Sequence, residues 1–203
     1  MTSPERTTLM RTIRDEVVAM TASPLYAYRR ESGNHPVIGE GNHDAAIMFV
    51  GEAPGRNEAK QGRPFVGAAG KILDRLLASA GIERSSVYIT NIIKDRPPMN
   101  RDPLPEEIRA YGPFLDRQID IIRPRVIATL GRYAMGYILS KFGLDESVRP
   151  IGQMHGRVID ASAPYGPVKI AVLYHPAVAV YNSNTLPALE RDFGVLREFV
   201  ETP

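Results

Sequence analysis

No cysteine occurs anywhere in the 203 residues. That absence removes disulfides, zinc–thiolate sites and cysteine nucleophiles together. No apolar run approaches the roughly 20 residues that a membrane-spanning helix requires. The opening stretch MTSPERTTLMRTIRDEV carries charges throughout and no apolar segment of signal-peptide kind, so a secretory route is not expected and the cytoplasm is. Surplus charge is scarce too. Lysine and arginine number 25 against 23 acidic residues, a net charge of +2, which by itself argues for solubility and not for nucleic acid. Internal repeats, low-complexity tracts and a G-x-x-x-x-G-K-[ST] phosphate loop are all missing. With 43% hydrophobic residues, a chain of this length buries one good core. A single monomeric domain over residues 1–203 is therefore expected, with 1–36 forming a helix and loop packed on its body.

What is present alternates between strand and helix. Ala45–Val50 and Val126–Leu130 are short apolar runs of strand length, and Val87–Ile93 is rich in β-branched residues. Ile72, Leu73, Leu76, Leu77 and Ala80 form a helical stripe, as do Ile108, Tyr111, Leu115, Ile119 and Ile122 behind the Pro105-Glu106-Glu107 start. A helix runs from Gly131 through Ser140, Gly143–Gly156 reads as a loop, Arg157–Ile159 as a short extra strand, and Lys169–Tyr174 as the last central strand. Leu186, Leu189, Phe193, Leu196 and Val200 mark a closing amphipathic helix. Strands separated by helices pair in parallel through right-handed crossovers. The expectation is an α/β fold, a three-layer α/β/α sandwich around a mainly parallel four-stranded sheet.

The most informative segment is Gly51–Leu73, GEAPGRNEAKQGRPFVGAAGKIL, directly behind the first strand. A strand that empties into a glycine-rich loop and then a helix puts its polar groups at the carboxyl edge of the sheet, where open α/β folds bind ligands. The loop holds two carboxylates, Glu52 and Glu58, and a lone aromatic, Phe65. Arg56, Lys60, Arg63, Lys94, Arg96 and Arg101 fall in or beside this loop and the next. If both loops share one sheet edge, their cations form a patch suited to phosphates.

Three segments carry a resemblance. GEAPGRNEAKQGRPFVGAAG, Val87–Pro98 (VYITNIIKDRPP) and Tyr174–Asn182 (YHPAVAVYN) resemble, in order and spacing, the motifs of the uracil-DNA glycosylase superfamily. The branch they resemble, family 4, usually carries an iron–sulfur cluster. The similarity runs from about Val37 to Phe199. It implies hydrolysis of the N-glycosidic bond of uracil in DNA after base flipping, as a step of base-excision repair, with DNA as partner and free uracil as product.

By that resemblance Phe65 stacks on the flipped base, Asn91 reads the edge of the base and His175 donates to the O2 of the leaving group. Glu52 orients water or offsets positive charge on the sugar. Glu58 either shapes the pocket or anchors the loop. Ala53 and Gly55 line the substrate site; relatives with a GQDPYH-type loop have a water-activating aspartate and a thymine-blocking tyrosine at these positions. Arg63, Lys94 and Arg96 would meet DNA, and Val178, Val180 or Tyr181 would wedge into it. His35, His43 and His155 match no catalytic position.

The branch's four cluster cysteines correspond to Met20, Ser23, Asp95 and Tyr111. Without thiolates no iron–sulfur cluster binds in the family's manner, and no cofactor or metal is expected. Met20 and Tyr111 are expected to fill the vacated volume, with Asp95 and Ser23 hydrogen-bonded at its rim. Two other readings stay open: a glycosylase for hypoxanthine or xanthine, and a protein that binds damaged DNA without turnover.

Overall fold

The chain starts as a helix because its first residues cap one. In the computed structural model, which describes residues 1–200, Thr2 Oγ1 accepts the Glu5 N–H while Glu5 Oε2 accepts the Thr2 N–H. This capping box opens α1 (Ser3–Ala19), whose buried face is Met10, Ile13 and Val17. A second short helix, α2 (Tyr26–Glu31), follows, so the N-terminal segment holds two helices where one was expected. Glu201–Pro203, the end of the domain expected over 1–203, lie outside the described residues.

Six strands form one sheet: β1 (Glu40–Gly41), β2 (Ile47–Gly51), β3 (Tyr88–Asn91), β4 (Val126–Leu130), β5 (Val158–Ala163) and β6 (Gly166–Leu173). Their order is β1-β3-β2-β4-β6-β5. The four central strands run parallel, as the alternation of strands and helices requires, and β1 and β5 pair antiparallel at the two edges. The extra strand foreseen near Arg157 is therefore longer than expected. Two-residue β1 gave no periodic signal at all.

The helices are α3 (Arg56–Gln61), α4 (Ala68–Ser79), α5 (Pro105–Ile122), α6 (Arg132–Lys141), α7 (Ile151–Met154), α8 (Ala177–Tyr181) and α9 (Leu186–Gly194). Strand alternation divides the core in two. Met48 and Val50 of β2 pack with Ile13 of α1, Leu115 of α5 and Ile138 of α6. Ile47 and Phe49 face the other side, with Leu73 and Leu76 of α4 and Phe193 of α9. The result is the three-layer sandwich. Within Gly143–Gly156, expected as loop, a 3-10 turn and α7 form; four residues are too few to show a helical period.

Candidate active site at the carboxyl edge of the sheet

Parallel pairing sets the ends of β2, β3 and β6 along one edge. Gly51 at the end of β2 is paired with Asn91 at the end of β3, and His175 lies two residues beyond β6. Behind β2 the chain makes α3 and then turns sharply through Phe65, which has a left-handed backbone (φ 50°), an uncommon state for a bulky residue. Glu58 holds this turn: its Oε1 accepts the N–H groups of Val66 at 2.9 Å and Gly67 at 2.7 Å. Two glycines are required by close approach. A Cβ on Gly70 would collide with the Phe65 carbonyl, and one on Gly51 would collide with Asn91 Oδ1 and come within 2.9 Å of the Phe65 ring. The glycine spacing of the loop is thus the means by which Phe65 and Asn91 stand side by side.

These elements enclose a cavity of about 470 Å³. Its walls include Phe65, Asn91 and His175, with Glu52, Ala53, Gly55 and Glu58 from the first loop. Asn100, Arg101 and Asp102 border it from the loop after β3, and Val178 and Tyr181 from α8. The Phe65 and His175 rings lie 5.7 Å apart, tilted by 31°. Asn91 is 2% exposed, and its Oδ1 is buried without a hydrogen-bond partner. An orphaned amide oxygen in a cavity wall is an acceptor waiting for a donor.

His175 accepts the Ala177 N–H at Nδ1 (3.1 Å), which leaves the proton of the neutral ring on Nε2. Burial pushes its pKa down to about 4, so the ring is neutral at physiological pH. Glu52 moves the other way. Burial first, and the nearby Asp102 carboxylate second, raise it to about 7, partly offset by Arg132. Asp102 and Arg132 pair at 2.5 Å beside it, and neither was singled out from the sequence. Asp102 sits in a proline-flanked loop with no local pattern to mark it.

Most of the cations expected in one patch are engaged within the protein. Lys94, expected to meet DNA, is fully buried: its ammonium donates to Asn91 O (2.7 Å), Thr90 Oγ1 (2.8 Å) and Gln118 Oε1 (2.6 Å), and burial lowers its pKa well below the usual value. It braces the end of β3 from behind. Arg63 is exposed but turns to the sheet edge, where it makes a two-pronged pair with Glu40 of β1 (2.7 and 2.8 Å). Lys60 donates to the Ser32 carbonyl, and Arg101 pairs with buried Glu107. Arg96 donates to Asn100 Oδ1 at 2.6 Å, and Asn100 is the one of the two that borders the cavity. Val178, Val180 and Tyr181 are on the short helix α8, and all three are exposed. His155 is held by Asp192 and stacks on Tyr174, and His43 bonds Thr7, both outside the cavity.

The family model of the uracil DNA glycosylase superfamily matches residues 38–194 of the chain. The chain belongs to this superfamily. It is 47% identical over 192 residues to the type-4 uracil-DNA glycosylase of Sulfurisphaera tokodaii, covering 94% of this chain and 84% of that protein. The type-4 enzyme of Archaeoglobus fulgidus is 47% identical over 184 residues, 91% of this chain and 92% of its own. That of Saccharolobus solfataricus is 43% identical over 187 residues, covering 92% and 84%.

The four positions of the branch's cluster cysteines do not fit an iron–sulfur cluster. Three of them, Ser23, Asp95 and Tyr111, join a buried polar network instead, in which Asp95 Oδ1 is left without a partner. Tyr111 donates to Asp95 Oδ2 at 2.5 Å and shares a hydrogen bond with Ser23 Oγ, which also accepts the Leu25 N–H. Arg29, to which no sequence pattern pointed, completes it: its guanidinium reaches Asp95 Oδ2 at 3.2 Å and donates to the carbonyls of Val17 and Val18. Tyr111 is fully buried, and Met20 is half-buried against the same core cluster. Asp95 is not at the rim but 1% exposed, because only there can it pair with both Arg29 and Tyr111. Desolvation outweighs those partners and holds its pKa above the usual carboxylate value. The network ties α1, α2, the loop after β3 and α5 together, and neither the neutral hydroxyls nor the thioether resembles a thiolate set. Among the described residues, no group of three or more His, Asp or Glu side chains is arranged to hold a metal ion.

Removing one member of this network should be costly. Asp95→Ala leaves the Arg29 guanidinium, 7% exposed, without a counter-charge. The expected loss of unfolding free energy is about 3–5 kcal/mol, read by urea unfolding at neutral pH. A loss no larger than that of an ordinary surface substitution would mean the four groups do not act as a staple.

Proposed function

We propose that this protein is a uracil-DNA glycosylase that hydrolyses the N-glycosidic bond of uracil in DNA, releasing free uracil and leaving an abasic site for base-excision repair. The observation that carries this reading is the convergence of Phe65, Asn91 and His175 on one cavity, with the Asn91 Oδ1 unpaired. A uracil turned out of the stack lies against the Phe65 ring. Its N3–H meets Asn91 Oδ1 and its O4 accepts from Asn91 Nδ2; cytosine presents the reverse pattern and leaves buried groups unpaired. As the bond from C1′ to N1 breaks, its electron pair goes to the base, and the Nε2–H of neutral His175 donates to O2, where the charge collects. Water adds to C1′. Glu52 is the cavity carboxylate suited to orient that water and offset the sugar's positive charge. Ala53 and Gly55 form the nearby wall. Glu58 uses one oxygen on the loop and keeps the other close to Gly55. Tyr181, with Val178 and Val180, enters the DNA beside the vacated position.

The test is release of free uracil from a uracil-containing oligonucleotide, followed by alkali cleavage at the abasic site, against matched strands carrying hypoxanthine or xanthine. Release from the uracil strand is expected. Release only from a purine-lesion strand would move the substrate to another deaminated base, and tight binding without release would make this a recognition protein.

The same assay reports Glu52. If the ionised carboxylate is the working form, the rate rises with pH through about 7, and that rise vanishes in Glu52→Gln. Stability changes in the opposite sense. The folded pKa lies above the ordinary 4.5, so the folded chain holds this proton more tightly and loses stability as pH rises from 4.5 to about 7. Glu52→Gln is therefore expected to raise Tm at pH 8 and leave it unaltered at pH 4. A lower Tm at pH 8 would contradict the assignment.

A further inference from the structure

Of the eight large apolar side chains left exposed among the described residues, five come from two segments at the cavity mouth. Three are Val178, Val180 and Tyr181. The other two, Met99 and Leu104, belong to the segment after β3, where Met99 is 89% exposed, matched only by Tyr181 at 90%. Scattered apolar residues on a surface need no explanation. Met99 differs in how it is held. It and Asn100 are consecutive left-handed residues (φ 56° and 53°), directly behind Pro97 and Pro98. A conformation that bulky side chains avoid persists only where the surroundings impose it.

Those surroundings are on both sides. Arg96 Nε donates to Asn100 Oδ1 at 2.6 Å, the Asn100 and Arg101 N–H groups bond back to the carbonyls of Pro97 and Pro98, and Arg101 is clamped to Glu107 at 2.6 and 2.9 Å. Pro97, Asn100 and Arg101 themselves line the cavity. The loop is thus a rigid mount that turns one apolar side chain outward at the rim.

We propose that Met99 is a second wedge, which enters the base stack of duplex DNA on the side of the extruded nucleotide opposite to that met by Tyr181. The proposal rests on the glycosylase reading of the same cavity. The two mounts leave different strands: the Met99 loop follows β3 and α8 follows β6, with β2 and β4 between them. Three inter-strand spacings of about 4.8 Å put those strands roughly 14 Å apart, several times the rise of about 3.4 Å between stacked bases. Mounts about four such rises apart do not reach the same step. The cavity that takes the flipped nucleotide lies between them, lined by Asn100 and Arg101 from one and by Val178 and Tyr181 from the other. Methionine is well suited to insertion, being apolar, unbranched and able to fit whichever base pair flanks the lesion. A braced loop loses little freedom on insertion.

A wedge matters only where there is a stack to open. The experiment compares single-turnover uracil release from duplex and from single-stranded oligonucleotides of the same sequence, in wild type, Met99→Ala and Met99→Leu. The ratio of duplex to single-strand rate is expected to fall about tenfold or more in Met99→Ala and to recover in Met99→Leu. An unaltered ratio in Met99→Ala, or an equal loss on both substrates, would overturn the wedge. Wild-type protein that releases uracil from neither substrate would overturn the glycosylase reading instead. In that event, 2-aminopurine placed beside the uracil still reports insertion: a fluorescence rise on binding that Met99→Ala abolishes upholds the wedge, and the same rise in both proteins refutes it.

Discussion

Replacing His175 by alanine is expected to slow uracil release by about 10²- to 10³-fold under single-turnover conditions, the usual loss when one donor to a developing anion is removed. The reason lies in which nitrogen holds the proton. With Nδ1 occupied by the Ala177 N–H, the ring's remaining hydrogen is on Nε2. This donor faces a base that is nearly neutral in the ground state and carries a full charge as it leaves, so its contribution falls on the rate and not on binding. His175→Ala should therefore lower kcat far more than it raises KM.

The pH profile provides a second readout. For this ring the folded pKa, about 4, lies below the ordinary 6.5, so protonation is resisted and the folded chain loses stability only as pH falls below 6.5, fully so below about 4. No step near 6.5 from a histidine is expected in the wild-type rate. A tenfold drop in rate between pH 7.5 and 5.5 that persists in Glu52→Gln would mean that the ring takes up its proton near the ordinary 6.5 despite burial. A rate that rises over the same fall in pH would mean that the charged ring is the donor, and the neutral-donor role would fall.

Asn91→Ala is the other large effect, and it should separate activity from stability. The substitution removes both partners of the uracil edge and leaves O4 and N3–H unpaired in an enclosed site. At about 1–3 kcal/mol for each unpaired group, release should slow by about 10²-fold or more. The folded protein, however, carries an unsatisfied Asn91 Oδ1 in the absence of a base. Deleting it relieves a buried orphan, so the unfolding free energy should hold steady or rise by about 1 kcal/mol. Loss of activity with loss of several kcal/mol of stability would indicate a structural asparagine, and full activity would remove it from the reading of the base. Lys94 bonds the Asn91 carbonyl and not its side chain, so that contact is retained in the substitution.

The chain's local pattern was enough for the parallel core. Apolar runs of strand length, each emptied into a glycine- or proline-marked loop, can pair in parallel only through helical crossovers, and that geometry carries Gly51, Asn91 and His175 to one edge whatever the details of packing. The glycines at 51 and 70 were legible as unusual. Their purpose was not, because making room for the Phe65 carbonyl and ring and for the Asn91 amide is a matter of three-dimensional approach. The absence of cysteine was equally decisive, since composition alone removes the thiolate set.

The destinations of the long charged side chains were not legible. Lys94 and Arg63 looked alike as loop cations, yet one is buried beneath β3 and the other pairs with a two-residue edge strand. Arg29 enters the Tyr111–Asp95 network from 66 residues away, and Asp102, in the loop after β3, and Arg132, at the start of α6, both act on Glu52. Side-chain spacing along a strand or helix is a local property, set by periods of 2 and 3.6, and a sequence displays it directly. An ion pair, a buried hydrogen bond or the outward turn of Met99 depends on which distant segment packs alongside, and this is decided only when the layers close on one another.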